Sequence, residues 1–130
     1  FKNGRPTFAT IDVSFISLKL ILPVLAKILI PGGNVVALIK PQFEAGRQEV
    51  GKKGIIKDQV IHERVIREII DFAKTHGFSS RHLSFSPVTG GDGNIEFLLH
   101  LCLLGDVVDV IIDPSAVSEV VSTAHSSFAN

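Results

Sequence analysis

The chain has 130 residues, of which 45% are apolar and 20% charged, and its formal net charge is zero. This is enough for one globular domain with a real core and too apolar for a disordered chain. Charge balance argues against a free-standing nucleic-acid clamp but leaves room for a local basic patch. A single cysteine, Cys102, rules out an internal disulfide, so a reducing cytoplasm is the default compartment. Within the apolar run FLLHLCLL it reads as a buried structural thiol.

The first predicted element is a short buried strand over Thr7 to Val13, with no polar residue before Asp12 except threonines. Such a continuous run suits a strand covered on both faces, as in parallel sheets. Leu18, Ile21, Leu22, Leu25, Ile28 and Leu29 then recur at helical spacing. Ser14 or Ser17 caps that helix, and Pro23 leaves its first turn open. The apolar stretch Phe15 to Ile30 is broken by Lys19, Pro23 and Lys27. It falls short of the ~18–20 apolar residues of a membrane span, so it is expected to be a core helix. No signal peptide is expected from its opening residues.

IPGG (30–33) stops the helix, and NVVALIKP is the second buried strand, ending at Lys40. Gln42 to Lys57 reads as a long loop of the kind that often serves as a lid or binding segment. Asp58 caps the clearest helix, whose stripe is Ile61, Val65, Ile69, Phe72 and Ala73, with Gly77 as its stop. RHLSFSPV is a third strand, TGGDGN a turn, and IEFLLHLCLL a fourth strand. The last helix starts at Asp113 and Pro114 and carries Val117, Val120, Val121, Ala124 and Phe128.

The predicted fold is therefore α/β: a mostly parallel sheet with right-handed crossovers and one reversed strand near the edge, in a terminal hairpin. In open α/β sheets ligands bind beyond the carboxyl ends of the parallel strands. Asp12 and Lys40 end the first two strands, and Glu96 begins the reversed one. Topology thus sends all three to one rim. A lysine between two carboxylates is held protonated; a further positive charge nearby would let it act as a base.

ATIDVSFISLKLILP, LIKPQFEAGR, VGKKGI and SPVTGGDGNIEFLLHL resemble the haemolysin A (TlyA) family of ribosomal RNA 2′-O-methyltransferases, related to the RrmJ/FtsJ fold. ILIPGGNVVALIKP is also similar to the helix–PGG–strand passage of class I (Rossmann-like) methyltransferases. The resemblance runs from about Thr7 to the final helix. It implies that residues 1–130 form a single domain, the C-terminal portion of an S-adenosylmethionine-dependent methyltransferase domain. The chain starts at Phe1 and contains no methionine. The expectation is that the family's upstream glycine-rich cofactor loop, ribose-binding acidic residue and S4-like RNA-binding domain are missing from it.

The family's Lys-Asp-Lys-Glu tetrad maps onto Asp12 in IDVSF, Lys40 in LIKPQ and Glu96 in GNIEF, with the first lysine expected upstream. The resemblance implies methyl transfer to a cytidine ribose in ribosomal RNA or ribosomal subunits. Lys40 would act on the 2′-hydroxyl proton, Asp12 and Glu96 would orient the lysines, and Asp12 would also border the cofactor. It further reads Arg47, Lys52 and Lys53 as backbone contacts to RNA, against a solvated loop. Phe43 is either a platform for a flipped base or a loop anchor.

His62, His76, His82, His100 and His125 show no metal-ligand spacing, so no zinc site is expected. Ser14 and Ser86 lack partners for a hydrolase triad. GGDG lacks the Lys-Ser/Thr and the following helix of a phosphate loop. Two rival functions stand: a membrane-active haemolysin, which the lack of a bilayer-length segment disfavours, and a non-catalytic, partner-binding fragment. The 130 residues alone are expected to bind S-adenosylmethionine poorly and to be inactive.

Overall fold

A computed structural model describes residues 4–51, 53–90, 93–104 and 112–129. Its elements are β1 (Phe8–Ile11), α1 (Leu18–Ile28), β2 (Asn34–Ile39), α2 (Pro41–Glu44), a 3-10 turn (Arg47–Glu49), α3 (Gln59–Thr75), β3 (Phe78–Phe85), β4 (Phe97–Leu103) and α4 (Pro114–Phe128). The segment expected to be a long loop thus begins with two short helical pieces.

The four strands form one sheet in the order β1-β2-β4-β3. β1 and β2 are parallel, whereas β4 is antiparallel to both β2 and β3. Two of the three ladders are therefore antiparallel, which corrects the expectation of a mostly parallel sheet. The β3–β4 hairpin does form, and the reversed strand lies next to the edge, between β2 and β3. Side-chain chemistry explains the order. FLLHLCL is apolar at nearly every position, as an inner strand requires. FSSRHLSF alternates with polar residues, carries a bulge between Ser80 and His82, and suits an edge.

The helices build one core against one face of this sheet. Leu18 and Leu22 of α1, Val65, Ile66, Ile69, Ile70 and Ala73 of α3, and Val117, Val121 and Ala124 of α4 join Val35, Ala37, Ile39, Phe97, Leu99, Leu101 and Leu103 in a single buried cluster. Ser17, not Ser14, caps α1 by accepting from Lys19 N–H at 3.0 Å. Pro23 lies inside α1, which continues through it. Asp58 caps α3 through Val60 N–H at 2.8 Å, and Asp113 caps α4 through Ser115 N–H at 2.9 Å. Cys102 is only partly buried, on the opposite sheet face, where its Sγ lies 3.6 Å from Gly32 O; the buried-thiol expectation is corrected by the pleat, which turns it away from the core.

Candidate active site

Asp12 and Lys40 meet at the rim where β1 and β2 end. Parallel pairing sets Ile11 beside Ala37, so the residues that follow the two strands emerge on the same side of the sheet. Pro41 forces Lys40 into an extended conformation (φ −111°, ψ 95°) and starts α2 at once, turning the chain away just beyond the lysine. Lys40 Nζ lies 2.5 Å from Asp12 Oδ1 and donates to Ser14 Oγ at 3.3 Å. The lysine side chain is 13% exposed and the aspartate 69%. The pair thus has a sheltered cation and an open anion.

Glu96 enters from β4. The β2–β4 register pairs Ile39 with Phe97, so Lys40 and Glu96 are the next residues beyond that rung. The central position of β4 brings Glu96 directly alongside β2, closer than an edge strand would have allowed. Glu96 is buried, at 8% exposure. Gln42 Nε2 reaches toward its Oε2 at 3.5 Å. Gln42 Oε1 is buried and, among the described residues, has no hydrogen-bond partner. The turn before Glu96 is closed by Gly90 N–H to Asn94 O at 2.8 Å and Gly93 N–H to Gly90 O at 2.9 Å. Gly93 sits at φ 91°, where glycine is the natural residue. Gly90 is needed for space: a Cβ there would lie 2.7 Å from Glu96 Oε2. Gly91 and Asp92 lie outside the described residues.

Sequence reading missed the part played by Glu44. Its carboxylate accepts from Ser17 Oγ at 2.5 Å and from Leu18 N–H at 2.8 Å. The turn after Lys40 is thereby tied to the start of α1, which follows Asp12 and Ser14. Burial pushes the Glu44 carboxyl above the usual carboxylate range, against the opposing pull of the Ser17 and Leu18 hydrogen bonds. Beside this tether, Phe15 and Phe43 pack with ring centroids 4.8 Å apart. Phe43 is partly buried, while Phe15 is 90% exposed and holds a left-handed φ of 66°, a strained conformation for a bulky residue. Phe43 thus packs against Phe15 in this structure, and that open neighbour was not singled out from sequence. The signal available was an aromatic residue between Asp12 and a helix cap.

The following segment is held at several points. Glu49 binds the Arg64 guanidinium of α3 through both carboxylate oxygens, which lowers the pKa of the acid. Asn94, 1% exposed, accepts from Ile56 N–H at 3.0 Å and donates to Gly54 O at 2.8 Å. His62, fully buried, donates from Nε2 to Ile56 O at 3.1 Å. That carbonyl can only accept, so Nδ1 of His62 is the unprotonated nitrogen and accepts from His125 Nε2 at 2.8 Å. His62 also meets Phe97 edge-on, at a centroid distance of 5.5 Å. Burial first, and then the facing His125, lower the pKa of His62 to about 4. Arg47 and Lys53 remain exposed, and Lys53 and Lys57 border a cleft of about 660 Å³. Lys52 lies outside the described residues. Among the described residues, no group of three or more His, Cys, Asp or Glu is arranged to hold a metal, and no helix is long and apolar enough to cross a membrane.

A family model described as FtsJ-like methyltransferase matches residues 1–103. The chain is 62% identical over 101 residues to "Putative rRNA methyltransferase YqxC" of Bacillus subtilis, covering 78% of this chain and 36% of that one. It is 36% identical over 99 residues to the 16S/23S rRNA (cytidine-2′-O)-methyltransferase TlyA of Mycobacterium tuberculosis, covering 76% and 37%. A solved structure titled "Putative hemolysin from Streptococcus thermophilus" superposes with a TM-score of 0.92 at 54% identity, covering 98% of this chain and 46% of its own. The chain thus spans less than half the length of these relatives.

Proposed function

The chain belongs to the FtsJ-like methyltransferase family, and on that premise we propose that its rim serves S-adenosylmethionine-dependent 2′-O-methylation of ribose, at a cytidine of ribosomal RNA. The observation that carries this reading is the contact of Lys40 Nζ with Asp12 Oδ1 at 2.5 Å, with Glu96 emerging beside the same strand end. Methyl transfer to a hydroxyl needs an in-line nucleophile and a group that handles its proton, and little else from the protein beyond placement. The TlyA relative named for this reaction shares 36% of its residues over the matched stretch.

Among the residues at the rim, the open carboxylate of Asp12 suits an ammonium or hydroxyl group of the cofactor. The bound cofactor supplies the methyl group as an electrophile with a positive charge on sulfur. Lys40 would receive or polarise the proton of the ribose 2′-hydroxyl, and the bound cofactor would supply the methyl group to that oxygen. Asp12 and Ser14 fix the direction of the lysine. Glu96, with Gln42 beside it, lies at the same strand end, one residue beyond the Ile39–Phe97 pair. Phe15 presents an open ring for stacking at the lip of this site, and exposed Arg47 and Lys53 suit contacts to the RNA backbone.

The test is transfer of labelled methyl groups from S-adenosylmethionine to ribosomal subunits by the protein that carries this chain, with the modified sugar mapped. Label is expected on a ribose 2′-oxygen. Lys40→Ala should lower turnover by about 10²–10⁴-fold, as for loss of a general base, while cofactor binding persists. Near-normal turnover in that variant would overturn the assignment. Liposome leakage without methyl transfer would favour the haemolysin reading instead.

A further inference from the structure

Two residues beyond Lys40, Gln42 turns toward a different strand from the lysine. It is the second residue of α2, and Lys40 is the N-cap of that helix. Backbone bonds close the turn: Phe43 N–H donates to Lys40 O and Ala45 N–H to Pro41 O, each at 2.9 Å. The Glu44 carboxylate ties the same turn to Ser17 and Leu18. β2 lies between β1 and β4 in the sheet. From its end, Lys40 reaches Asp12 and Ser14, which follow β1, while Gln42 reaches Glu96, which precedes β4. One fixed turn therefore addresses both neighbouring strands.

Glu96 is short of partners for a buried acid. Among the described residues no ion pair reaches it. The side chain that hydrogen-bonds its carboxylate is Gln42, with Nε2 3.5 Å from Oε2. That distance is at the long end for a hydrogen bond, as catalytic contacts often are before substrate binds. Gln42 is itself half-used, because its Oε1 is buried and has no hydrogen-bond partner among the described residues. Glu96 dictates this orientation: with the amide turned over, its oxygen would face a carboxylate oxygen. A buried amide oxygen without a donor is a standing cost to the fold, and an apolar side chain of the same size would remove it. Packing alone therefore does not account for a glutamine here.

We propose that Gln42 is a positioning residue for methyl transfer, acting through Glu96: its amide nitrogen holds Oε2 and so fixes the rotamer of the carboxylate at the rim. The inference rests on the methyl-transfer reading above. A free glutamate side chain has several staggered rotamers, and a misplacement of about 1 Å at a reacting centre can cost roughly 100-fold in rate. Two features narrow that choice for Glu96. Gly90 leaves room for Oε2, which lies 2.7 Å from where its Cβ would be, and Gln42 holds the same oxygen from α2. The turn after β2 thus carries two roles. Lys40 handles the proton of the acceptor hydroxyl, and Gln42 sets the direction of the acid at the start of the adjacent strand.

The experiment uses Gln42→Met in the whole protein that carries this chain, since methionine keeps the volume and loses the amide. With ribosomal subunits as acceptor, kcat should fall by roughly 10–100-fold, while KM for S-adenosylmethionine and for the subunits stays unchanged. The thermal midpoint should hold or rise, because the unpaired buried oxygen is gone. A residue that only supports the fold would give the reverse, a lower midpoint with normal turnover per folded molecule, and that result would overturn the proposal. Glu96→Gln, alone and combined with Gln42→Met, supplies the second measurement. If Gln42 acts through Glu96, the double variant should be no slower than Glu96→Gln alone. Losses that multiply would overturn the proposal, as would a normal kcat in Gln42→Met. Either result leaves the function reading standing so long as Lys40→Ala still depresses turnover. Absence of methyl transfer by the parent protein would overturn both.

Discussion

A Cβ built on Gly90 would lie 2.7 Å from Glu96 Oε2, so the glycine and the carboxylate six residues later share one space. Gly90→Ala should push the carboxylate aside more than it disturbs the backbone, because the atom in its way ends a flexible side chain. The expected outcome is a loss of methyl transfer of tenfold or more, with stability lowered by no more than ~1 kcal/mol. Parallel turnover and denaturant unfolding measurements check it. A large loss of stability with normal turnover per folded molecule would contradict the relationship.

The Glu44 carboxylate holds both Ser17 and Leu18 at the start of α1. Glu44→Ala should cost about 1–2 kcal/mol, the value of a lost helix cap. It should also loosen the Asp12 side of the rim, since α1 begins a few residues after Asp12. Urea unfolding gives the first effect. Hydrogen exchange of the Leu18 amide gives the second, where faster exchange is expected.

Stability should depend on pH through His62. Its pKa is depressed from 6.5 to about 4 in the folded chain, so the folded state binds the proton less readily than the unfolded one. The contribution is present above pH 6.5 and is lost as pH falls through 6.5 toward 4. One such group changes stability by at most about 1.4 kcal/mol per pH unit within that window. The depressed pKa values of His125 and His100 act in the same direction. His62→Gln should flatten the fall in stability between pH 6.5 and 4. An unchanged pH profile in thermal melts would remove His62 as its source.

Asn94 uses its side-chain amide on two backbone groups of one segment, Ile56 N–H and Gly54 O. Asn94→Ala leaves both without that partner, at a cost of about 2–4 kcal/mol. The segment carries Lys53 and Lys57, so limited trypsin digestion should cut there faster in the variant. Cleavage at the wild-type rate would mean that Glu49, His62 and the backbone suffice to hold it.

The linear sequence was enough to locate most elements, because helix periodicity, Asp58 and Asp113 caps, and Gly77 are local features that act within a few residues. It was also enough to bring Asp12 and Lys40 to one rim, since parallel strands joined by a helix end on the same side. The strand order was a different matter. Both β3 and β4 read as strands joined by a turn, and only competition for the sheet's centre placed the more apolar β4 between β2 and β3. That choice turned an expected mostly parallel sheet into one with two antiparallel ladders and set Glu96 directly beside β2. The Glu44 tether, the Gly90 contact and the Asn94 clamp join residues 26 to 40 positions apart or depend on side-chain direction. No local pattern carries that information, because such contacts exist only once the packed core has fixed where each side chain points.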